Sequence, residues 1–197
     1  MPTSAILFCV TKMSDKSPHK GVPGILRPFR QYLETNKFGK GDQVVYYGVP
    51  GTCTPFIELL AFAVRGLGLE QVFVPYFKEE QAKKIIFVEG VGMQISSDHM
   101  VLMPGAQVIM GGLAMPNVPV TVGDAKRMIA RHKDSALIGI CFNSMFEKAD
   151  WMNEISFDIL IDAIIDPVHV SEQTRNLSER SKYLISSYDR LSKKDGE

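Results

Sequence analysis

In residues 43–56, QVVYYGVPGTCTPF, an uncharged run of β-branched and aromatic side chains stops at a glycine and becomes, within a few residues, the start of a helix. Val44, Val45, Tyr46 and Tyr47 suit a strand buried on both faces, the environment of a parallel sheet between layers of helices. Gly48 and Gly51 permit positive φ and close approach, and Pro50 stiffens the turn between them. Thr54 is placed to cap the helix, with Pro55 at its first position; the apolar residues after it continue to Val64, and Gly66 stops them. Such a strand-turn-helix aims several backbone N–H groups into one small volume, which suits an anion.

The remaining segments fit the same architecture. Val22 to Asn36 reads as a helix with Ile25, Leu26, Phe29, Tyr32 and Leu33 on one face and Pro28 either near its first turn or kinking it. Gln71 to Pro75 is the next strand, completing a right-handed βαβ unit. Residues 79–84 suggest a short helical turn, and 85–95, IIFVEGVGMQI, one strand bent by Gly90 and Gly92. Gln107 to Met110 forms a strand that ends in a second glycine turn, GGLAMP, at 111–116. Thr121 and Asp124 have capping-box spacing for a helix that turns Ala125, Met128, Ile129 and His132 inward. Ala136 to Cys141 is a buried strand followed by Phe142-Asn143-Ser144 and a short helix through Trp151, and 157–165 is the last strand.

The expected fold is therefore an α/β, Rossmann-like three-layer sandwich with a mostly parallel central sheet. One domain spans 1–170, its first 20 residues an N-terminal strand (Ala5 to Val10) or arm with a polar connector. A polar helical tail follows at 171–197, carrying an apolar stripe of Tyr183, Leu184, Ile185, Tyr188 and Leu191.

Composition narrows the function classes. The 22 basic residues balance 22 acidic ones, so no overall field recruits nucleic acid or an anionic membrane, and neither is expected as a partner. The uncharged stretch 99–123 is broken by glycines and prolines and reads as sheet and turns rather than a membrane span. Three scattered cysteines, Cys9, Cys53 and Cys141, give neither a zinc pattern nor an even disulfide set, which fits a reducing cytoplasm.

Three turns are expected at one sheet edge, and they supply the candidate ligand-binding residues: Gly48, Pro50, Gly51, Thr52, Cys53 and Thr54 from the first, Gly111 and Gly112 from the second, Cys141, Asn143 and Ser144 from the third. The loop lacks the Gly-Lys-Ser/Thr ending of a P-loop and the G-x-G-x-x-G of a dinucleotide site, so no cofactor is named. Cys53, just before a helix N-terminus, is the candidate nucleophile, since helix dipole and amides favour a thiolate there. No His or Asp partner follows from spacing, and a small packed turn residue is the competing reading. No metal site is assigned: Cys53 and Cys141 joined by His99 or Asp98 would need a distance the sequence does not fix. The methionines at 93, 100, 103, 110 and 115 suit either a sulfur-lined pocket or adaptable packing.

The stretches GVPGTCTPFIELLAFAVRG, VEGVGMQI and GGLAMP resemble those of a family of uncharacterised proteins from methanogenic archaea, over residues 21–168. The resemblance implies a Rossmann-like fold, an archaeal cytoplasm and no established activity, and carries over no catalytic residue. The leading expectation is a protein that binds a small anionic or nucleotide-like molecule at the carboxyl edge of the sheet. A non-catalytic interaction protein, forming a homo-oligomer or docking on a partner enzyme, is one alternative, and an enzyme using Cys53 is the other.

Overall fold

The computed structural model describes residues 19–165 and 167–171. The expected strand at 5–10 and the stripe within 172–197 lie outside the described residues. The elements are α1 (Pro23–Thr35), β1 (Gln43–Gly48), α2 (Thr54–Val64), β2 (Glu70–Pro75), β3 (Lys83–Val88), β4 (Gly92–His99), β5 (Pro104–Met110), α3 (Val122–Arg131), β6 (Ala136–Phe142), α4 (Met145–Lys148) and β7 (Ile159–Ala163). Short 3-10 turns at Glu79–Gln81, Gly111–Ala114 and Trp151–Asn153 link some of them.

The strands form one seven-stranded sheet in the order β4-β3-β2-β1-β5-β6-β7. The five strands from β2 to β7 are parallel, and β3 and β4 add an antiparallel edge. Taken alone, the parallel strands have the flavodoxin-like doubly wound order, in which the chain reverses direction across the sheet between β1 and its second neighbour. Here that point lies between β1 and β5, so the helices that follow these strands leave to opposite faces and the ends of the strands part.

Burial follows from this position. Every residue of β1 is buried, as a central parallel strand covered on both sides requires. On one face Tyr46 packs against Phe29 of α1 and donates its hydroxyl to Gln71 Oε1 at 2.9 Å; on the other Tyr47 packs against Phe77. Buried Ile57, Leu60, Ala61 and Val64 give α2 an inward stripe at helical spacing. Three buried glutamines tie the sheet to its connections. Gln43 bonds Val101 O and Met103 N, Gln71 donates to Ala61 O, and Gln107 donates to His132 O. A primary amide can satisfy two backbone groups at once, which explains its use at buried crossings.

Several local expectations need correction. Residues 85–95 are not one bent strand: they turn back on themselves as a hairpin, Val88 pairing with Gly92. Gly90 takes φ +76° at the third position of a turn that the Val91 N–H closes on Val88 O at 3.1 Å, a place that favours glycine. The last strand is shorter than 157–165, ending at Ala163. Helix α2 starts one residue early, with Cys53 at the cap position, because the Thr54 hydroxyl points back to accept the Gly51 N–H at 3.2 Å. The Thr121–Asp124 capping box forms with both of its reciprocal bonds.

Candidate functional site

The carboxyl ends of β1, β5 and β6 open onto a crevice of about 210 Å3. Its walls come from Thr52, Cys53 and Phe56 after β1, from Met110 to Gly112 and Met115 after β5, and from Phe142, Asn143 and Met145 after β6, with Ile165 beyond β7. Ligands of doubly wound sheets bind at such a switch point. Among the described residues no lysine, arginine or histidine lines it.

Main chain forms part of the lining because two of its glycines admit no side chain. A Cβ on Gly112 would stand 2.5 Å from Cys53 Sγ, and one on Gly111 would stand 2.8 Å from Cys141 Sγ. The dipeptide thus fits between two buried thiols. Gly48 is likewise required by approach rather than by conformation, since its Cβ would meet Cys53 Cβ at 2.8 Å and Ile57 Cδ1 at 2.9 Å. Only Gly51 in this loop uses a left-handed φ, +78°.

The first turn satisfies part of its own polar chemistry. Cys53 N donates to Val49 O at 2.9 Å, and Gly51 N is taken by Thr54 Oγ1. Two of the amides expected to receive an anion are therefore occupied within the loop. Burial pushes the Cys53 thiol up, outweighing the nearby Val49 and Gly112 amides that favour the thiolate. Burial raises Cys141 as well; its sulfur accepts the Phe146 N–H at 3.4 Å.

The third turn is braced on β7. Asn143 and Ser144 both adopt left-handed φ, 52° and 55°, a costly conformation for side-chain-bearing residues unless the surroundings hold it. Ser144 donates its hydroxyl to Asp162 Oδ2 at 2.7 Å and its N–H to Oδ1 at 3.1 Å; Asn143 Oδ1 accepts the Ile165 N–H at 2.9 Å. Asp162 is the supporting residue that spacing did not reveal.

The crevice thus gathers Thr52, Cys53, Gly111, Gly112 and Asn143 of the expected residues. Gly48, Pro50, Gly51 and Thr54 shape the loop without lining it. Cys141 and Ser144 face a neighbouring pocket of about 400 Å3 with Glu147, Asp150 and Asp162. His99 lies with Gln43 and Pro104, at the opposite, amino end of the parallel strands, so it does not join Cys53 and Cys141. Among the described residues no group of three or more His, Cys, Asp or Glu could hold a metal ion. The methionines do not converge either: Met110 and Met115 reach the crevice, Met93 is in the core, and Met100 and Met103 flank the amino-end pocket.

Sequence reading passed over Phe56, Phe142, Met145 and Ile165 as lining residues, and named Met110 and Met115 only among the methionines of a possible sulfur-lined pocket. Phe56 and Phe142 come from different elements, yet their rings lie 4.3 Å apart. On the other face of the sheet, Glu79 accepts from His132 at 2.8 Å and Arg131 at 3.1 Å, close to a buried Tyr47 hydroxyl that has no partner among the described residues.

Fold and site together define a doubly wound α/β domain with an apolar crevice at its switch point. By sequence the chain belongs to the family of uncharacterised proteins conserved in archaea (DUF2124), whose profile matches residues 20–166. An uncharacterised protein of Methanocaldococcus jannaschii is 36% identical over 145 residues, 74% of this chain and 86% of the relative. One from Methanothermobacter thermautotrophicus is 32% identical over 151 residues, 75% of this chain and 92% of the relative. The crystal structure of a protein of unknown function from Methanothermobacter thermautotrophicus superposes with a TM-score of 0.71 at 28% identity, covering 82% of this chain and 99% of that one. Among the described residues no helix is long and apolar enough to cross a membrane.

Proposed function

We propose that the protein binds a small molecule with a flat apolar body and one polar or anionic end in the crevice between the β1, β5 and β6 turns. The observation that carries this reading is the convergence of three separate turns on one apolar hollow at the switch point. Phe56, Phe142, Met110 and Met115 suit a ring or short apolar body, and Thr52, Asn143 and the glycine backbone suit its polar end. At about 210 Å3 the space is below the roughly 300–1,000 Å3 of drug-sized sites. A ligand of nucleobase size is favoured over a whole dinucleotide. The described lining holds no basic side chain and leaves an anion to backbone and hydroxyl donors, so the apolar body supplies most of the affinity.

The test uses anilinonaphthalene sulfonate, a ring system with one anionic end, as probe. One site per chain is expected, weakened about tenfold or more by Met115→Asp, which sets a charge beside the apolar body. Weak binding at many sites, indifferent to that substitution, would sink the proposal. Release of a bound small molecule from protein purified out of an archaeal host would identify the natural ligand, with a cytoplasmic setting as part of the reading.

A second reading, an interaction protein, is favoured by the amino end of the sheet. There Gln43 holds the 101–103 loop so that Val101 and Met103 stand about four-fifths exposed, at 81% and 79%. A homo-oligomer through this surface would be detected by light scattering and lost with Val101→Asp.

A further inference from the structure

The hydrogen bonds of the third turn specify what the polar end of a ligand in the crevice must offer. Strands β6 and β7 pair in parallel up to Phe142 and Ala163. Asn143 adds one more rung, its N–H donating to Ala163 O at 3.0 Å. The chain then turns away through a left-handed φ of 52°, which asparagine tolerates better than most residues. From there the side chain carries the pairing on in place of the main chain, Asn143 Oδ1 accepting the Ile165 N–H at 2.9 Å.

That bond fixes the sense of the amide. A backbone N–H donates and never accepts, so the atom facing Ile165 is the oxygen and the other end of the amide is its NH2 group. Asn143 is half-buried and lines the crevice, and among the described residues no hydrogen bond occupies its Nδ2. Neighbouring polar groups are engaged elsewhere. Asp162 holds the Ser144 hydroxyl and N–H, Gly112 O accepts the Met115 N–H at 3.3 Å, and Thr54 takes the Gly51 N–H. The polar side chains of the described lining are Thr52, Cys53 and Asn143. A hydroxyl donates or accepts as a ligand requires, and a thiol is a weak partner either way. The Asn143 NH2 group donates and cannot accept, so it is the group that discriminates.

We propose that Asn143 determines the specificity of the crevice, and that by presenting the NH2 end of its amide it selects ligands whose polar end is a hydrogen-bond acceptor. A ring carbonyl or a carboxylate fits this description, and an amino group does not. The inference rests on the ligand-binding reading of the same crevice and narrows its chemical class. Asparagine can read adenine by using both ends of its amide at once; here Ile165 holds the accepting end, which removes that mode. Asn143 directly follows Phe142, whose ring stands 4.3 Å from that of Phe56, so an acceptor placed at Nδ2 leaves the body of the ligand against the aromatic pair.

The experiment titrates the full chain and its Asn143→Asp variant with hypoxanthine and with adenine at neutral pH, by calorimetry. Both bases are uncharged there and alike in shape, and they differ where one carries a ring carbonyl and the other an amino group. Aspartate keeps an oxygen for the Ile165 N–H and tolerates the same φ, but its second oxygen accepts where the NH2 group donated. The parent is expected to favour hypoxanthine about tenfold and the variant to favour adenine, with the fold retained in thermal melts. A loosened turn would weaken both bases alike and cannot produce a reversal. A parent that favours adenine or neither base, or a variant that loses both in the same proportion, would overturn the role of Asn143. Anilinonaphthalene sulfonate separates the two readings. A Met115-dependent probe site without base preference retires Asn143 and leaves the ligand proposal standing, whereas no probe site and no base binding retire both.

Discussion

At the residue scale, the tight contacts are the testable ones. Gly112→Ala pushes a methyl group into Cys53 Sγ and is expected to cost about 1–3 kcal/mol. In a Cys53→Ala background most of that cost disappears, so a double-mutant cycle by urea unfolding should be strongly non-additive; additive values would place the strain elsewhere. Cys53 itself, buried and with its thiol pushed up, is expected to react with iodoacetamide at neutral pH more slowly than a free thiol. Labelling faster than a free thiol would revive it as a nucleophile. The two neighbouring tyrosines should behave oppositely. Tyr47→Phe removes a buried hydroxyl without a partner among the described residues and should leave stability equal or up to about 1 kcal/mol higher. Tyr46→Phe strands Gln71 Oε1 and should cost roughly 1–3 kcal/mol. Nothing in the sequence separates Tyr46 from Tyr47, because what differs is the partner each finds across a sheet face.

At the scale of elements, the capping box of α3 ties stability to pH. Bonds from Thr121 and the Arg127 guanidinium hold the Asp124 carboxyl below its ordinary value. A depressed acid stabilises the fold above its unfolded value and loses that contribution as pH falls through its folded one. Asp124→Ala should therefore lower stability by about 1 kcal/mol at neutral pH, and the gap between variant and parent should close in acid. A gap that stays constant in thermal melts from neutral to acidic pH would remove the carboxylate from the account. The box was legible because cap chemistry is local, four residues with a fixed spacing. The β3–β4 hairpin was not, since Gly90 and Gly92 suit a bend as well as a reversal, and the two look alike until the strands pair. Thr54 shows the same limit: its hydroxyl chose the Gly51 amide over the helix, a competition between two local bonds that composition does not decide.

At the scale of the whole molecule, the parallel sheet was legible from the unbroken apolar strands, whereas their order and the switch point depend on which strands meet. The same holds for the crevice. The sequence marked its backbone positions, Thr52, Gly111, Gly112 and Asn143, through turn chemistry. Phe56, Met115 and Phe142 belong to it only because three strand ends come together. Sheet position also predicts dynamics: amides of β1, β5 and β6 should be the slowest to exchange with deuterium, and those of the edge strand β4 should exchange well before them. Equal protection across the sheet would mean that the hairpin is held by something beyond β2.

A crevice lined partly by main chain at Gly111 and Gly112 has an evolutionary consequence. That part of its shape is inherited with the fold and needs only that two positions stay small, while the walls at Phe56, Met115 and Phe142 are single side chains that can be exchanged one at a time. If the crevice binds as proposed, a change at one of those walls would alter which molecule fits while the main-chain part of the hollow stays as it is.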